Sequence, residues 1–568
     1  MALMERRAPT TRGDAVFPTI HRIDRESIAM RQPSPAPVRR PRSFRPGMEQ
    51  VETRRLLAAA AADVLTYHDD NSRTGQDLDE TVLNPSNVNP ASFGKLFTDA
   101  VDGAIYAQPL YVANVTIPGQ GVHNVIYVAT QHDSVYAFDA DNPGAPLWHT
   151  SFIDPANGVT PVPATQIWQL DISPELGITS TPVIDASTGT IYVTAKIQVA
   201  TATGTQDYYT LNALDISTGA EKFGGPVVIQ PTVPGRGAGS VKGKVAFQAE
   251  FELQRPALLL ENGVVYVAFS SLGDHGPYHG WVVGYSASTL AQVAVFNDTP
   301  NSRDATGNLG GIWMSGEGPA ADASGNIYLL TGSGAFSPKG KGGSYADAAL
   351  KLSPNLHVLD YFAPQGTAHL DKKDLDLGSG GEILVPTQPG AAPSLLLGGG
   401  KDGTLYAVNI ASMGHQKKKN PNVQAVKTPA AASIFTSPAY YNGNVYINAV
   451  GDVLRQYAIV NGQLTGPTAV SSQSMGYPGA NLSVSADGAT NGIVWSLENS
   501  GTRTQANVAV LHAYNAANVS QELYNSNDAG TRDQPGDAVK FAVPTIANGK
   551  VYVGTKPGLT VYGLIPPT

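Results

Sequence analysis

One short pattern recurs eight times from about residue 105 onward: a turn of small residues, then an apolar run centred on an aromatic. The copies read NVIYVAT (Tyr127), GTIYVTA (Tyr192), GVVYVAF (Tyr266), GNIYLLT (Tyr328), GNVYINA (Tyr446), NGIVWSL (Trp495) and GKVYVGT (Tyr552). SLLLGGG around Leu396 is a degenerate eighth. A period of this length means stacked supersecondary units, because one unit cannot cover its own apolar faces. Asn-Gly precedes several copies, at Asn262, Asn442, Asn491 and Asn548. That dipeptide suits hairpin turns whose two central residues take positive φ.

Each copy is preceded by a short strand, opened in most cases by proline. The openers are Pro109, Pro182, Pro256, Pro319, Gly381, Pro438, Asn481 and Pro544, 43 to 74 residues apart. Proline fits the first residue of a strand, where no ladder N–H is needed. A third strand follows each copy, such as SVYAFDA or WVVGYSA, and six of the eight units continue into a fourth segment. Eight units of about four antiparallel strands predict an all-β, eight-bladed β-propeller over residues 63–568. The last unit ends after three strands. Its fourth is expected from FGKLFTDAV (Phe93 to Val101), an N-terminal strand closing the ring. An open solenoid of the same units would leave two raw edges.

Composition agrees. With 60 Gly, 41 Pro and 24 Tyr and only 15% charged residues, the chain favours short strands and tight turns over long helices. The absence of cysteine excludes disulfides, thiolate metal sites, a covalent haem attachment and a cysteine nucleophile. No run of about 18 apolar residues is present to span a membrane as a helix. Residues 1–60 hold twelve Arg, no Lys and six acidic residues, so +6 there leaves −15 on the rest of a chain of net −9. An acidic body disfavours nucleic-acid binding. Residues 1–62 are read as a disordered basic leader with an export segment, and Met48 as an alternative start. The part from Glu52 to Ala62 resembles a short E-x-R-x-L-L-A motif near the N-terminus of exported bacterial surface proteins.

Two units carry a further signature. ALDISTGAEKF (Ala213 to Phe223) and AFDADNPGAPLW (Ala137 to Trp148) resemble the A-x-D-x-x-T-G-x-x-x-W motif of the quinoprotein-type propellers, those built from pyrroloquinoline-quinone (PQQ) repeats. There the tryptophan docks onto the neighbouring blade; here Phe223 replaces it in one copy, and the other carries one extra residue before Gly144. The lead-in TYHDDNSRTGQ (Thr66 to Gln76) is similar to the start of such propellers. The resemblance covers about residues 63–568.

In a propeller, the links entering each first strand and the turns between second and third strands share one face. That convergence makes Glu175, Arg255, Asp274, His275, His279, Trp281, Trp313, Glu317, Asp376 and Lys401 the candidate ligand-binding residues of the channel face. His132, Asp133, Trp168, Asp171, Lys341 and Arg503 belong to the same loops. Each has a structural alternative. His275 and His279 have a zinc-like i, i+4 spacing, but the Gly-Pro-Tyr loop holding them is not a helix. Arg255 and Glu317 could pair across blades or bind a polar ligand. Trp281 and Trp313 could stack on a ring or pack blade on blade.

The resemblance implies two functions. One is a PQQ- and Ca²⁺-dependent dehydrogenase of alcohols or sugars, with an Asp as base. The adjacent cysteine pair against which the alcohol-oxidising members stack PQQ is missing, and no haem motif is present. The other, preferred here, is an exported, monomeric binding or scaffold propeller that takes a protein or glycan partner at its channel face. Scattered His and Asp offer less to a third class, a metal-dependent hydrolase.

Overall fold

The computed structural model describes residues 63–566 apart from 167–171, 304–308, 340–342, 391, 500–507 and 557. The leader and the loop residues Trp168, Asp171, Lys341 and Arg503 lie outside the described residues. Eight mainly antiparallel sheets follow one another along the chain as the blades of a β-propeller. Blade one runs Leu110–Ile117, Gly121–Ala129, Ser134–Asp139 and Trp148–Ser151. The innermost strands of the others begin at Val183, Leu259, Ala320, Glu382, Ala439, Ala480 and Thr545. Seven blades supply their own fourth strand, including Val423–Lys427 and Gln463–Ser474. In the eighth, Gly558–Leu564 pairs antiparallel with Phe93–Ala100 from the other end of the chain.

The repeat's tyrosines join blade to blade. Each ring is buried, and its hydroxyl donates to a backbone carbonyl just past the third strand of the next blade. Tyr127 reaches Ile216 O at 2.9 Å, Tyr192 Ala287 O at 2.7 Å and Tyr266 Pro354 O at 2.8 Å. Tyr446 reaches Ala516 O at 2.6 Å, and Tyr552 reaches Ala140 O of blade one at 3.1 Å. Tyr328 instead donates to Asp322 Oδ2 within its own blade. Trp148 docks as its motif implies. Its Nε1 donates to Ile216 O at 2.9 Å, and its ring covers Gly219, where an added Cβ would sit 2.6 Å from it. The apolar core lies between blades: one cluster holds Tyr127 and Val135 of blade one, Ile184 of blade two, and Tyr552 and Val561 of blade eight.

At three of the four Asn-Gly pairs before the repeat copies both residues take positive φ, namely Asn262–Gly263, Asn442–Gly443 and Asn548–Gly549. At the fourth only Asn491 does. There the strand Thr490–Asn499 has already begun, and Asp487 pairs with Thr490 around a turn two residues earlier.

Residues 64–80 follow the inner strands round the ring. Val64 bridges Tyr111 of blade one, and Ile184 N donates to Leu65 O. Ala321, Leu384, Tyr440 and Val484 donate their N–H to the carbonyls of Asn71, Ser72, Thr74 and Gly75. Asn71 Nδ2 reaches Leu260 O of blade three, and Gly549 N of blade eight reaches Glu80 Oε2. This belt therefore bonds all eight blades. Arg73, fully buried within it, donates to Pro319 O, Leu258 O, Tyr67 O and Thr66 Oγ1.

Candidate functional site

The links entering the blades bring a set of rings and cations together. Trp313 lies 6.0 Å from Phe435 at 45° and 6.3 Å from Phe541 at 62°. Phe435 meets Tyr477 edge-on at 5.8 Å. Arg255 is buried between the rings of Tyr106 (5.2 Å) and Phe541 (5.0 Å), and donates to Thr179 O and Lys540 O. Lys540 Nζ lies over Tyr477 at 5.5 Å, and Lys401 Nζ over Trp313 at 5.6 Å. Trp313, Phe435, Tyr477 and Phe541 are half-buried. This collar draws on links from six blades and, through the Lys401 turn and its partner Asp376, on blade five as well, so it exists only because the sheets form a ring.

Its electrostatics follow from burial. Lys401 pairs with Asp376 at 2.7 Å and Asp374 at 2.8 Å. That lysine, with the Ser333 N–H, holds the buried Asp376 carboxyl below its ordinary range. Burial lowers the Arg255 guanidinium to about 10. Burial also holds the Glu317 carboxyl well above the ordinary range, and the like charge of Glu382 adds to it; Ser437 and Arg73 oppose the rise. Glu382 is raised by burial to about 8, against the pull of Arg73. Glu317 explains why blade five opens on glycine where most blades open on proline. A Cβ on Gly381 would lie 1.7 Å from Glu317 Oε2.

Of the ten sequence candidates, the structure gathers Arg255, Trp313, Asp376 and Lys401 in the collar. Glu317 lies beside it, next to Gly316, whose missing Cβ would sit 3.7 Å from Arg255 Cζ. Arg255 and Glu317 do not form the cross-blade ion pair considered above; the guanidinium bonds carbonyls instead. Glu175 accepts from His132 Nδ1 at 2.9 Å, a contact between blade one and the link to blade two. His279 and Trp281 face into blade three rather than the channel. Both are buried, Trp281 Nε1 donates to Glu252 Oε1, and the ring nitrogens of His279 bond Thr299 Oγ1 and Ala238 O. Those partners satisfy both side chains, and burial depresses the imidazole pKa. Asp274 is exposed and accepts from Ser271 Oγ; His275 borders a lateral cleft described below. Sequence reasoning missed Tyr106, Phe435, Tyr477, Lys540 and Phe541. The available signal was register, for Tyr106, Phe435 and Phe541 each stand three residues before an opening proline.

No family model and no curated protein matches this chain. Solved structures do. A quinohemoprotein alcohol dehydrogenase from Comamonas testosteroni aligns with a TM-score of 0.56 and 16% identity, over 90% of this chain and 83% of that one. A europium-containing methanol dehydrogenase aligns with a TM-score of 0.57 and 14% identity, over 89% and 98%. A quinohemoprotein alcohol dehydrogenase from Pseudomonas putida HK5 aligns at 0.54 and 13%, over 89% and 80%. The chain has the quinoprotein propeller fold. At these identities the likeness is one of fold, so whether this propeller suits PQQ rests on its own residues. A flat tricyclic quinone is held best between near-parallel planes, whereas the collar rings meet at 45° to 68°. Among the described residues no three His, Asp or Glu side chains converge as a metal site. Among these residues the collar presents neither parallel ring planes for PQQ nor a three-ligand cluster for Ca²⁺.

Proposed function

We propose that the protein is an exported binding module, and that its collar anchors a partner protein. The supporting observation is the cluster of Trp313, Tyr477, Phe435, Phe541 and the stacked Arg255, drawn from separate blades around one centre. Trp, Tyr and Arg dominate binding hot spots, because rigid rings and a weakly hydrated planar cation bury well at little entropic cost. The partner would insert apolar or aromatic side chains between the rings.

A photo-crosslinking residue at Phe435, compared with one at Val293 on an outer strand, tests this in the native host. The expected result is a protein captured only from Phe435 and lost with Trp313→Ala. Once purified, that protein should bind at least tenfold more weakly to Trp313→Ala. The same capture from both positions contradicts the proposal. So does stoichiometric PQQ uptake with Ca²⁺ and alcohol- or sugar-dependent dye reduction, which would establish the dehydrogenase reading instead.

A further inference from the structure

A second feature lies away from the collar. Blade two's hairpin, Thr190–Thr201 and Gly204–Asp215, has strands of twelve residues, whereas the second strands of the other blades have four to ten. Its overhang, the link leading to blade three and the turn at Leu272 to Gly276 enclose a cleft of about 860 Å³. That volume lies in the usual range of ligand sites. Five glutamines, three threonines and two carboxylates line it, with Tyr208, Phe247 and Phe251 and, among the described residues, without a lysine or arginine.

The lining is built, not merely exposed. Gln198 is buried and donates Nε2 to Asp207 Oδ1 at 2.9 Å across the hairpin. The other oxygen, Asp207 Oδ2, is buried without a hydrogen-bond partner. The opposite wall is pinned from behind, where buried Lys196 donates to Ala249 O at 2.7 Å and Glu252 O at 3.1 Å. Phe247 packs edge-on against Phe269 and Trp281, which fixes its ring.

We infer that this cleft binds a neutral oligosaccharide, independently of the collar. Carboxamides carry a donor and an acceptor side by side, and carboxylates accept two bonds, so both match vicinal hydroxyls that donate and accept. Half-buried aromatic rings take the apolar face of a pyranose. Anionic ligands are disfavoured, since two carboxylates line the cleft and, among the described residues, no lysine or arginine does. Asp207 and Glu250 line the cleft, and carboxylates accept from hydroxyl donors, which rewards a polyol over an apolar ligand.

The test uses the full chain and isothermal titration with neutral hexose, pentose and N-acetylhexosamine trimers, an oligogalacturonate and a random peptide pool. Expected is saturable binding of at least one neutral trimer. Asp207→Asn, Gln198→Ala and the cleft-filling Thr205→Trp should each weaken it at least tenfold, and Leu359→Ala, exposed on the outer strand of blade four, should leave it unchanged. Thr205 is exposed, so that variant blocks the cleft without disturbing the core. No saturable binding by any neutral trimer overturns the inference. Binding indifferent to Thr205→Trp, or binding of the acidic oligomer or peptides alone, overturns it as well.

Discussion

Buried tyrosine hydroxyls latch one blade to the next, each through a single backbone carbonyl. Spacing marks Tyr192 as the centre of a strand; its hydroxyl partner, Ala287 O, lies 95 residues on and in another blade. No local pattern carries that information. The same holds for the collar. Trp313 was legible as an aromatic beside a strand opening, whereas its neighbours Phe435 and Phe541 sit in links of unlike sequence and meet it only through closure. His279 and Trp281 show the converse, for a polar loop spacing turned inward once Glu252 and Thr299 supplied partners. Tyr192→Phe and Tyr446→Phe each remove one buried interblade bond. Each should cost about 1 kcal/mol in urea unfolding, and the two should add, since distant sites are independent. The buried carboxyl pair makes a pH prediction. Glu382 is raised to about 8 from an ordinary 4.5. Between those values the folded state holds a proton the unfolded chain has lost, so this group's stabilising contribution falls as pH rises through that window and is fully present below it. Glu382→Gln should flatten the decline between pH 5 and 8, by up to about 1.4 kcal/mol per pH unit for one proton. Melting curves across that range check it.

At the scale of elements, the strands were the most legible part, because proline or glycine openings, Asn-Gly turns and alternating apolar runs state a period of two directly. The degenerate copy SLLLGGG is a full strand, Leu395–Gly399. The belt was recognised only as a lead-in. Its bonds run from backbone to inner strands one residue at a time, which leaves no periodic trace. Arg73 is its centre, with four acceptors and two buried carboxyls, Glu317 and Glu382, within its field. Replacing it by Met would strand three buried carbonyls and the Thr66 hydroxyl, each left without its donor. A loss of about 3 kcal/mol or more is expected, read as a lower denaturation midpoint in urea. Arg73→Lys should recover little of it, because a point charge cannot reach the same forked set.

For the whole molecule, the blade count followed from the repeat, whereas the site did not, because it is a property of the ring and not of any blade. Tyr106 comes from the link into the first blade and Phe541 from the link into the last, and the two rings enclose Arg255 of the third. Every statement about the collar depends on the two ends of the chain sharing one sheet. The lack of cysteine makes that directly measurable, since a new pair can form only one internal disulfide. Thr98 and Thr560 are cross-strand partners, with hydroxyls 3.0 Å apart. Facing residues of antiparallel strands lie about 4.5–5.5 Å apart at Cα, within disulfide range. Oxidising the Thr98→Cys/Thr560→Cys protein at low concentration should give near-complete intramolecular crosslinking, seen as faster migration on non-reducing gels and as one linked tryptic peptide pair. Two free thiols under those conditions, or crosslinks only between separate molecules, would contradict a closed ring and with it the gathered collar.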